Sequence, residues 1–346
     1  MKVIHFLNTS EFSGAENVVC QIIGMMKDAD NIDMVYCSRD GKIRDALEER
    51  NIPFVPIAGM NCRAIKRVIK ENKPDIVYAH DMRASYVVAR SCGSIPLISH
   101  IHNNAFASRK FSLKSVAYFL AAKKAKHIFW VSKSSFEGYV FQKMIAAKSS
   151  ILRNVIDTEA LYEKMKSDNN QYPYDVVFLG RLTYEKNPQR LINVFRLVTE
   201  QNNTVRFGII GAGALENELK VLVEKYGIEQ NVTFLGFQEN PTKMLYDSKV
   251  MVMTSRWEGT PMCALEAMAL GVPIVSTPTD GLQEIIEHGV TGFLSDDDNE
   301  LAEYILYLLQ NNDMQKLFSE RIYETAIKIN DKSKYRENIL KELIKL

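Results

Sequence analysis

Four charged side chains in the second half of this 346-residue chain have the types and spacing to hold a phosphorylated polyol. Glu258 and Glu266 bound the run E-G-T-P-M-C-A-L-E within the stretch 255–277. Gly259 and Pro261 cannot both lie inside a helix, so Glu258 belongs to a loop. Pro261 suits the first turn of the helix that follows, which puts Glu266 about one turn inside it. Both carboxylates can then face one crevice. Near a helix N-terminus a carboxylate is expected to keep its charge. A charged acceptor then holds a hydroxyl with about 1.5–3 kcal/mol per bond, as a ribose or hexose requires. Upstream, Gly180-Arg181-Leu182 and Glu185-Lys186-Asn187-Pro188 form one loop. Arg181 and Lys186 there stand beside another helix N-terminus, an anion site suited to a diphosphate. Gly211-Ala212-Gly213 would let backbone approach a phosphate or sugar, with a tight turn as the competing reading. The third glycine and the acidic residue of the dinucleotide fingerprint are absent.

Short β-branched runs alternating with helical periodicity position these loops. Strands are expected at 2–7, 33–37, 54–57, 76–79, 97–102, 127–131 and 149–152, with helices such as 14–28, 62–72, 82–91 and 113–126 between them. The pattern restarts with strands at 174–180, 205–210, 232–235, 250–254 and 273–276. Its helices are 188–201, 215–226, 262–270, 282–288 and 299–311. Ser13-Gly14-Ala15-Glu16 reads as a capping box. Strand–helix alternation implies two doubly wound α/β domains with parallel sheets. Their ligands lie at the carboxyl ends of the strands. The expected division is 1–156, 157–328 and a last helix, 329–346, crossing back to the first domain. The polar stretch 157–173 holds no strand.

Composition sets the class. The chain is 46% apolar and 25% charged, which fits a globular protein with a sizeable core and excludes disordered, collagen-like and coiled-coil chains. No apolar run reaches the ~18 residues of a membrane span, and the N-terminus reads as a strand, not a signal peptide. Five scattered cysteines without a C-x-x-C agree with a cytoplasmic protein. The net charge of +1 hides a split. Residues 1–155 hold 23 Lys/Arg against 13 Asp/Glu, net +10, and the remainder is net −9. From Met82 to Phe136 there are nine basic residues and no acidic one. Such a face fits an anionic partner. Nucleic acid is disfavoured, because stacking aromatics do not interleave the basic residues. Asp296-Asp297-Asp298, before a helix, reads as a capping cluster rather than a metal site. The six histidines show no zinc-ligand spacing, and His100 and His102 are expected on opposite faces of their strand.

The run from Glu258 to Glu266 resembles the E-x7-E motif of the retaining family-4 glycosyltransferases. Gly180-Arg181 and Lys186, Ile210 to Gly213, Val232 to Phe237 and Gly281 to Phe293 match further segments of that family. In the first half, Ser13 to Glu16 and Asn154-Val155-Ile156-Asp157 do the same. The resemblance implies a GT-B fold, two Rossmann-like domains facing a central cleft, and transfer from a nucleotide-sugar, UDP-linked by expectation. It also implies roles. Arg181 and Lys186 neutralise the donor diphosphate, and Glu266 accepts from the ribose. Glu258 meets the transferred sugar, with Gly259, Thr260, Pro261 and Met262 nearby. Gly14, Gly211, Gly213 and Phe237 complete the donor set, and His102 is the active-site histidine. Thr260 stands where many members carry a bulky apolar residue.

The reading is a retaining, metal-independent hexosyltransferase with no cofactor, the nucleotide-sugar being a co-substrate. Its acceptor would be a glycan or a lipid-linked sugar of bacterial surface polysaccharide synthesis, at an anionic membrane surface on the cytoplasmic side. The rivals are a nucleotide-sugar 2-epimerase of the same fold and a non-catalytic nucleotide-sugar-binding subunit.

Overall fold

Seven parallel strands form the first sheet: β1 (Lys2–Phe6), β2 (Asp33–Arg39), β3 (Phe54–Ile57), β4 (Ile76–His80), β5 (Leu97–Ile101), β6 (His127–Trp130) and β7 (Ser149–Ile151). Their order is β3-β2-β1-β4-β5-β6-β7. Six parallel strands form the second: β8 (Val176–Leu179), β9 (Phe207–Ile210), β10 (Val232–Gly236), β11 (Val250–Met253), β12 (Ile274–Ser276) and β13 (Gly292–Leu294). Their order is β10-β9-β8-β11-β12-β13. The computed structural model describes residues 1–29, 31–103 and 108–346. It divides into Met1–Val155 with Asp331–Leu346 (unit 1) and Ile156–Asn330 (unit 2).

Central strands such as β4 (IVYAH) and β11 (VMVM) are buried along their whole length. Strands covered on both faces by crossover helices read as near-continuous apolar runs. Each sheet reverses its strand order once, between β1 and β4 and between β8 and β11. At such a switch point the loops leaving adjacent strands diverge and open a crevice at the carboxyl ends.

Three features depart from the sequence expectations. The polar stretch 157–173 carries the helix Thr158–Ser167, N-capped by Asp157, whose side chain accepts from Ala160 N at 3.1 Å. The short strand β13 starts at the end of the run GLQEIIEHGVTGF, and its three residues give too little periodicity to detect. Ser13 is the N-cap of the helix Gly14–Met25, but its hydroxyl donates to the Glu16 carboxylate instead of capping the backbone, so the capping box is not formed.

Unit 2 begins and ends at one point. Ile156 N donates to Asn330 Oδ1 at 2.8 Å, and Asn330 Nδ2 returns a bond to Ile156 O at 3.1 Å. The last helix, Lys332–Ile344, belongs to unit 1, where Arg336 Nε donates to Met25 O at 2.9 Å.

The loops after β8, β9 and β10 are laced together by backbone. Gly180 N donates to Ile210 O at 3.0 Å, Gly211 N to Gly236 O at 2.8 Å and Leu182 N to Ala212 O at 3.0 Å. A Cβ on Gly211 would stand 1.9 Å from Gly180 O, and one on Gly213 would stand 2.3 Å from Leu182 O. Gly211 also has φ +136°, a conformation side chains avoid. Both glycines are therefore required by packing between loops. Gly211→Ala should destabilise the protein by about 2–5 kcal/mol, overpacking and backbone strain acting together. Its thermal unfolding midpoint would fall by many degrees, and a midpoint within a degree of wild type would refute this account.

Candidate functional site

The switch point of unit 2 brings the loop after β8 against the loop after β11. Arg256 fastens them: its N–H donates to Glu185 O at 2.8 Å, its Nε to Tyr184 O at 3.1 Å, and its guanidinium to Asn187 Oδ1 at 2.8 Å. The guanidinium also lies 4.3 Å from the centre of the Tyr184 ring. Thr254 Oγ1 donates to Asn187 O at 3.1 Å. Asn187 itself is left-handed (φ 50°), a turn that suits asparagine, and Pro188 starts the helix Pro188–Gln201. Sequence reasoning passed over Thr254, Ser255 and Arg256, whose role lies in contacts far apart in the chain.

This join carries a buried ion pair. Lys186 Nζ donates to Glu258 Oε1 at 2.5 Å, with side-chain exposures of 14% and 10%. Ser255 Oγ donates to the same oxygen at 2.6 Å. The second carboxylate oxygen has no hydrogen-bond partner among the described residues. Burial opposes the charge on Lys186, but the neighbouring Glu258 outweighs burial and holds the ammonium above the ordinary lysine range. The Arg181 side chain is exposed and makes no hydrogen bond or ion pair among the described residues. Of the two cations in this loop, Lys186 is held in a pair and the Arg181 side chain is not.

The loop and helix around Glu258 follow the expected layout. Pro261 is the N-cap of the helix Met262–Ala269, and Glu266 lies in its second turn, half-buried. Gly259, Thr260, Pro261 and Met262 are buried. Gly259 is held by Gly281, where a Cβ would fall 1.2 Å from Gly259 O. The Glu266 carboxylate has no partner among the described residues. Burial raises it above the ordinary glutamate range, with Lys164 pulling the other way, so the helix terminus does not fix its charge outright. Phe237 follows β10 with 74% of its surface exposed, an aromatic face open at the carboxyl edge of the sheet. Asp297 caps the helix Asp298–Gln310 and Asp298 pairs with Arg190, so this aspartate run is structural.

In unit 1, Gly14 opens the first helix on the exposed side. His102 follows β5, its backbone N donating to Asp81 Oδ1 at 3.1 Å. The expectation that His100 and His102 point apart is wrong. Alternate residues of a strand share a face, and their ring centres stand 4.1 Å apart. Nor does sequence spacing reveal that β4 brings His80 to the same place, with ligand atoms of His80, His100 and His102 within 4.8 Å of one another. His5, on β1, joins them through His80.

Burial, then neighbouring His102, lowers His5 to about 3. Burial lowers His102 to about 3. His80 and His100 lie well below the ordinary range for the same reason, burial first and the surrounding histidines next. An imidazole lowered from about 6.5 stabilises the fold above that pH and loses its contribution as the pH falls, since only the unfolded chain takes up the proton. From pH 7 to pH 5 the loss is about 2 kcal/mol for each of His5 and His102. Asp81, raised by burial to about 6, works in the opposite sense and returns about 1 kcal/mol. The protein should therefore melt at a clearly lower temperature at pH 5 than at pH 7. Scanning calorimetry at both values is the check; an unchanged or higher midpoint at pH 5 would contradict the neutral assignment.

The chain matches two family models, Glycosyltransferase Family 4 over residues 12–160 and Glycosyl transferases group 1 over residues 162–325. It is 25% identical over 345 residues to the UDP-Gal:α-D-GlcNAc-diphosphoundecaprenol α-1,3-galactosyltransferase of Escherichia coli, covering 90% of this chain and 88% of that protein. It is 33% identical over 236 residues to an uncharacterised glycosyltransferase of Methanocaldococcus jannaschii, covering 62% of this chain and 58% of that one. The fold is similar to the crystal structure of Anabaena HepE in complex with UDP-glucose, with TM-score 0.86, 23% identity and full coverage of both chains. Two parallel sheets with alternating helices and two family models spanning nearly all of the sequence lead to one conclusion: the chain belongs to the family-4 glycosyltransferases and has their GT-B fold.

Proposed function

We propose that the protein moves a sugar, with retention of anomeric configuration, from a UDP-sugar to a lipid-linked or glycan acceptor in bacterial surface polysaccharide synthesis. The observation that carries this reading is the Lys186–Glu258–Ser255 cluster at the unit 2 switch point, with Arg181 and Glu266 beside it in the same two segments. A departing UDP develops negative charge on its diphosphate. Arg181 and Lys186 meet that charge with groups already in place, so little reorganisation is needed. Glu266 accepts from the ribose hydroxyls, and the free oxygen of Glu258 accepts from a hydroxyl of the transferred sugar. Phe237 offers a flat face to the base. The two cations do the work a divalent ion would otherwise do, and no carboxylate is assigned as a covalent nucleophile, so transfer occurs on the front face. The names of the E. coli relative and of the HepE complex, which specify a UDP donor, support the donor assignment.

The lipid-linked acceptor is assigned to unit 1, on charge and exposure. No helix among the described residues is long and apolar enough to cross a membrane. Phe111, Leu113, Leu120 and Met144 are nevertheless exposed, at 79%, 91%, 56% and 65%. Phe111 packs edge-on to Phe141 at 6.0 Å and Phe119 stacks on Phe141 at 4.8 Å, with Lys123 over the Phe119 ring. Apolar side chains set among lysines fit the surface of an anionic bilayer, where each cation adds about 1 kcal/mol. The diphosphoundecaprenol in the E. coli relative's name supports an acceptor at such a surface.

Assay of UDP-sugars with lipid-linked acceptors, in EDTA, should give a retained glycoside; epimer from donor alone would favour the 2-epimerase instead. Glu266→Gln should weaken UDP itself about tenfold, the equivalent of 1.4 kcal/mol. Glu258→Gln should bind UDP nearly as well as wild type and lose mainly kcat, because free UDP lacks the sugar. Calorimetric UDP binding with steady-state kinetics separates the two, and the opposite pattern would reverse these roles.

Co-sedimentation with anionic vesicles should be strong at low salt and fall at high salt, since the attraction is screened within about 8–10 Å. Phe111→Ser with Leu113→Ser should weaken it further. Binding indifferent to both salt and these changes would exclude this surface.

A further inference from the structure

A file of imidazoles runs inward from His102. His102 Nε2 lies 2.8 Å from His80 Nδ1, His80 Nε2 lies 2.9 Å from His5 Nδ1, and His5 Nε2 lies 3.4 Å from Met34 Sδ. Neighbouring rings in the file are stacked, with centres 5.1 Å and 5.2 Å apart. His5 and His80 are completely or almost completely buried. Each contact between two neutral imidazoles needs one N–H and one lone pair, so the proton positions along the file are linked. A thioether sulfur accepts and cannot donate. His5 therefore carries its proton on Nε2 and presents a lone pair at Nδ1. His80 must donate through Nε2 and accept at Nδ1. His102 must donate through Nε2, which leaves its Nδ1 a bare lone pair. That Nδ1 is a buried atom without a hydrogen-bond partner among the described residues.

We propose that Met34, His5 and His80 are positioning residues that fix His102 in the Nε2–H tautomer, so that its Nδ1 accepts a hydrogen bond from a hydroxyl of the sugar substrates. The identity of that hydroxyl rests on the glycosyl-transfer reading above; the tautomer does not. The polarity is set at the far end of the file, three side chains from the atom that uses it. Neutral rings throughout keep His102 an acceptor and not a cation. Asp81 fixes the backbone of His102 through its amide, and His100 packs against its ring while accepting from or donating to Tyr78 at 3.3 Å. The 2.8 Å separation of His80 Nδ1 and His102 Nε2 is that of an N–H···N bond. Two nitrogens bound to one tetrahedral zinc at about 2.0–2.1 Å stand farther apart, at about 3.3 Å.

Nitrogen-15 spectra of the full-length protein labelled at histidine test this directly, with signals assigned from single-histidine variants. In wild type, His102 should carry its proton on Nε2 alone between pH 6 and 8. His80→Leu removes the acceptor, so His102 should become a mixture of tautomers. The kcat should fall about tenfold, the scale of one hydrogen bond, with the KM for donor about unchanged. His80→Asn places an amide oxygen near the former Nδ1 and should restore most of both. Should His80→Leu fail to fold, Met34→Leu keeps the volume and should let the reverse polarity populate, splitting the His102 signals. A wild-type His102 protonated on Nδ1, a folded His80→Leu with unchanged spectra and kcat, or stoichiometric zinc held by His80 and His102 would each overturn the proposal. If wild type transfers no sugar, the glycosyl-transfer reading falls, and the spectra still decide the tautomer.

Discussion

The ion pair between Lys186 and Glu258 is the interaction on which the organisation of unit 2 turns. Its partners belong to loops that leave β8 and β11, neighbours in the sheet but far apart in the chain. Removing two charges from water costs several kcal/mol for each ion, and a buried pair repays this only with good geometry and extra hydrogen bonds. Here the extra bond comes from Ser255, and the geometry from Arg256 clamping one loop to the other. As a stability device the pair is a poor choice, because apolar residues of similar volume often do as well. What the pair does is keep a lysine charged in a half-dry crevice, as the proposed diphosphate site requires. Glu258 supplies the field that does so, and still has one oxygen to offer.

The two units solve the same problem with opposite electrostatics. Both place polar side chains at the carboxyl ends of parallel strands flanking a reversal of strand order. Unit 2 fills that position with ions held by partners. Unit 1 fills it with imidazoles whose burial keeps them neutral. Charged groups suit a charged leaving group, whereas neutral acceptors suit hydroxyls. The chemistry at each switch point follows from the desolvation each set of side chains can bear.

Legibility from sequence tracked how local each signal was. Strand–helix alternation, the loop position of Glu258 and the helix position of Glu266 depend on a few adjacent residues, and all can be read directly. The Arg256 clamp and the histidine file cannot, because β1, β4 and β5 become neighbours only through crossovers. Even a local rule fails when applied with the wrong period, as with His100 and His102. Three-residue β13 and the polar helix Thr158–Ser167 lacked an apolar pattern long enough to separate strand from turn or helix from linker. Ser13 and Glu16 have the right types and spacing for a capping box, but their side chains satisfied each other. A motif fixes which bonds are possible, and packing decides which are made.

The glycines of G-A-G show why a matching motif does not by itself locate a ligand. Gly211 and Gly213 have no room for a Cβ because backbone carbonyls of the β8 loop occupy that space. The motif therefore follows from how closely the two loops approach, and it would be needed whether or not a phosphate ever came near. The same holds for Gly281 beneath Gly259. Around this site, the Arg181 side chain, the Glu266 carboxylate, one oxygen of Glu258 and the exposed ring of Phe237 have no structural partner among the described residues. A fold gains nothing from keeping a cation, a half-buried carboxylate and an aromatic face unused at the mouth of one sheet. These groups, more than the glycines that packing explains, are what the proposed donor site rests on.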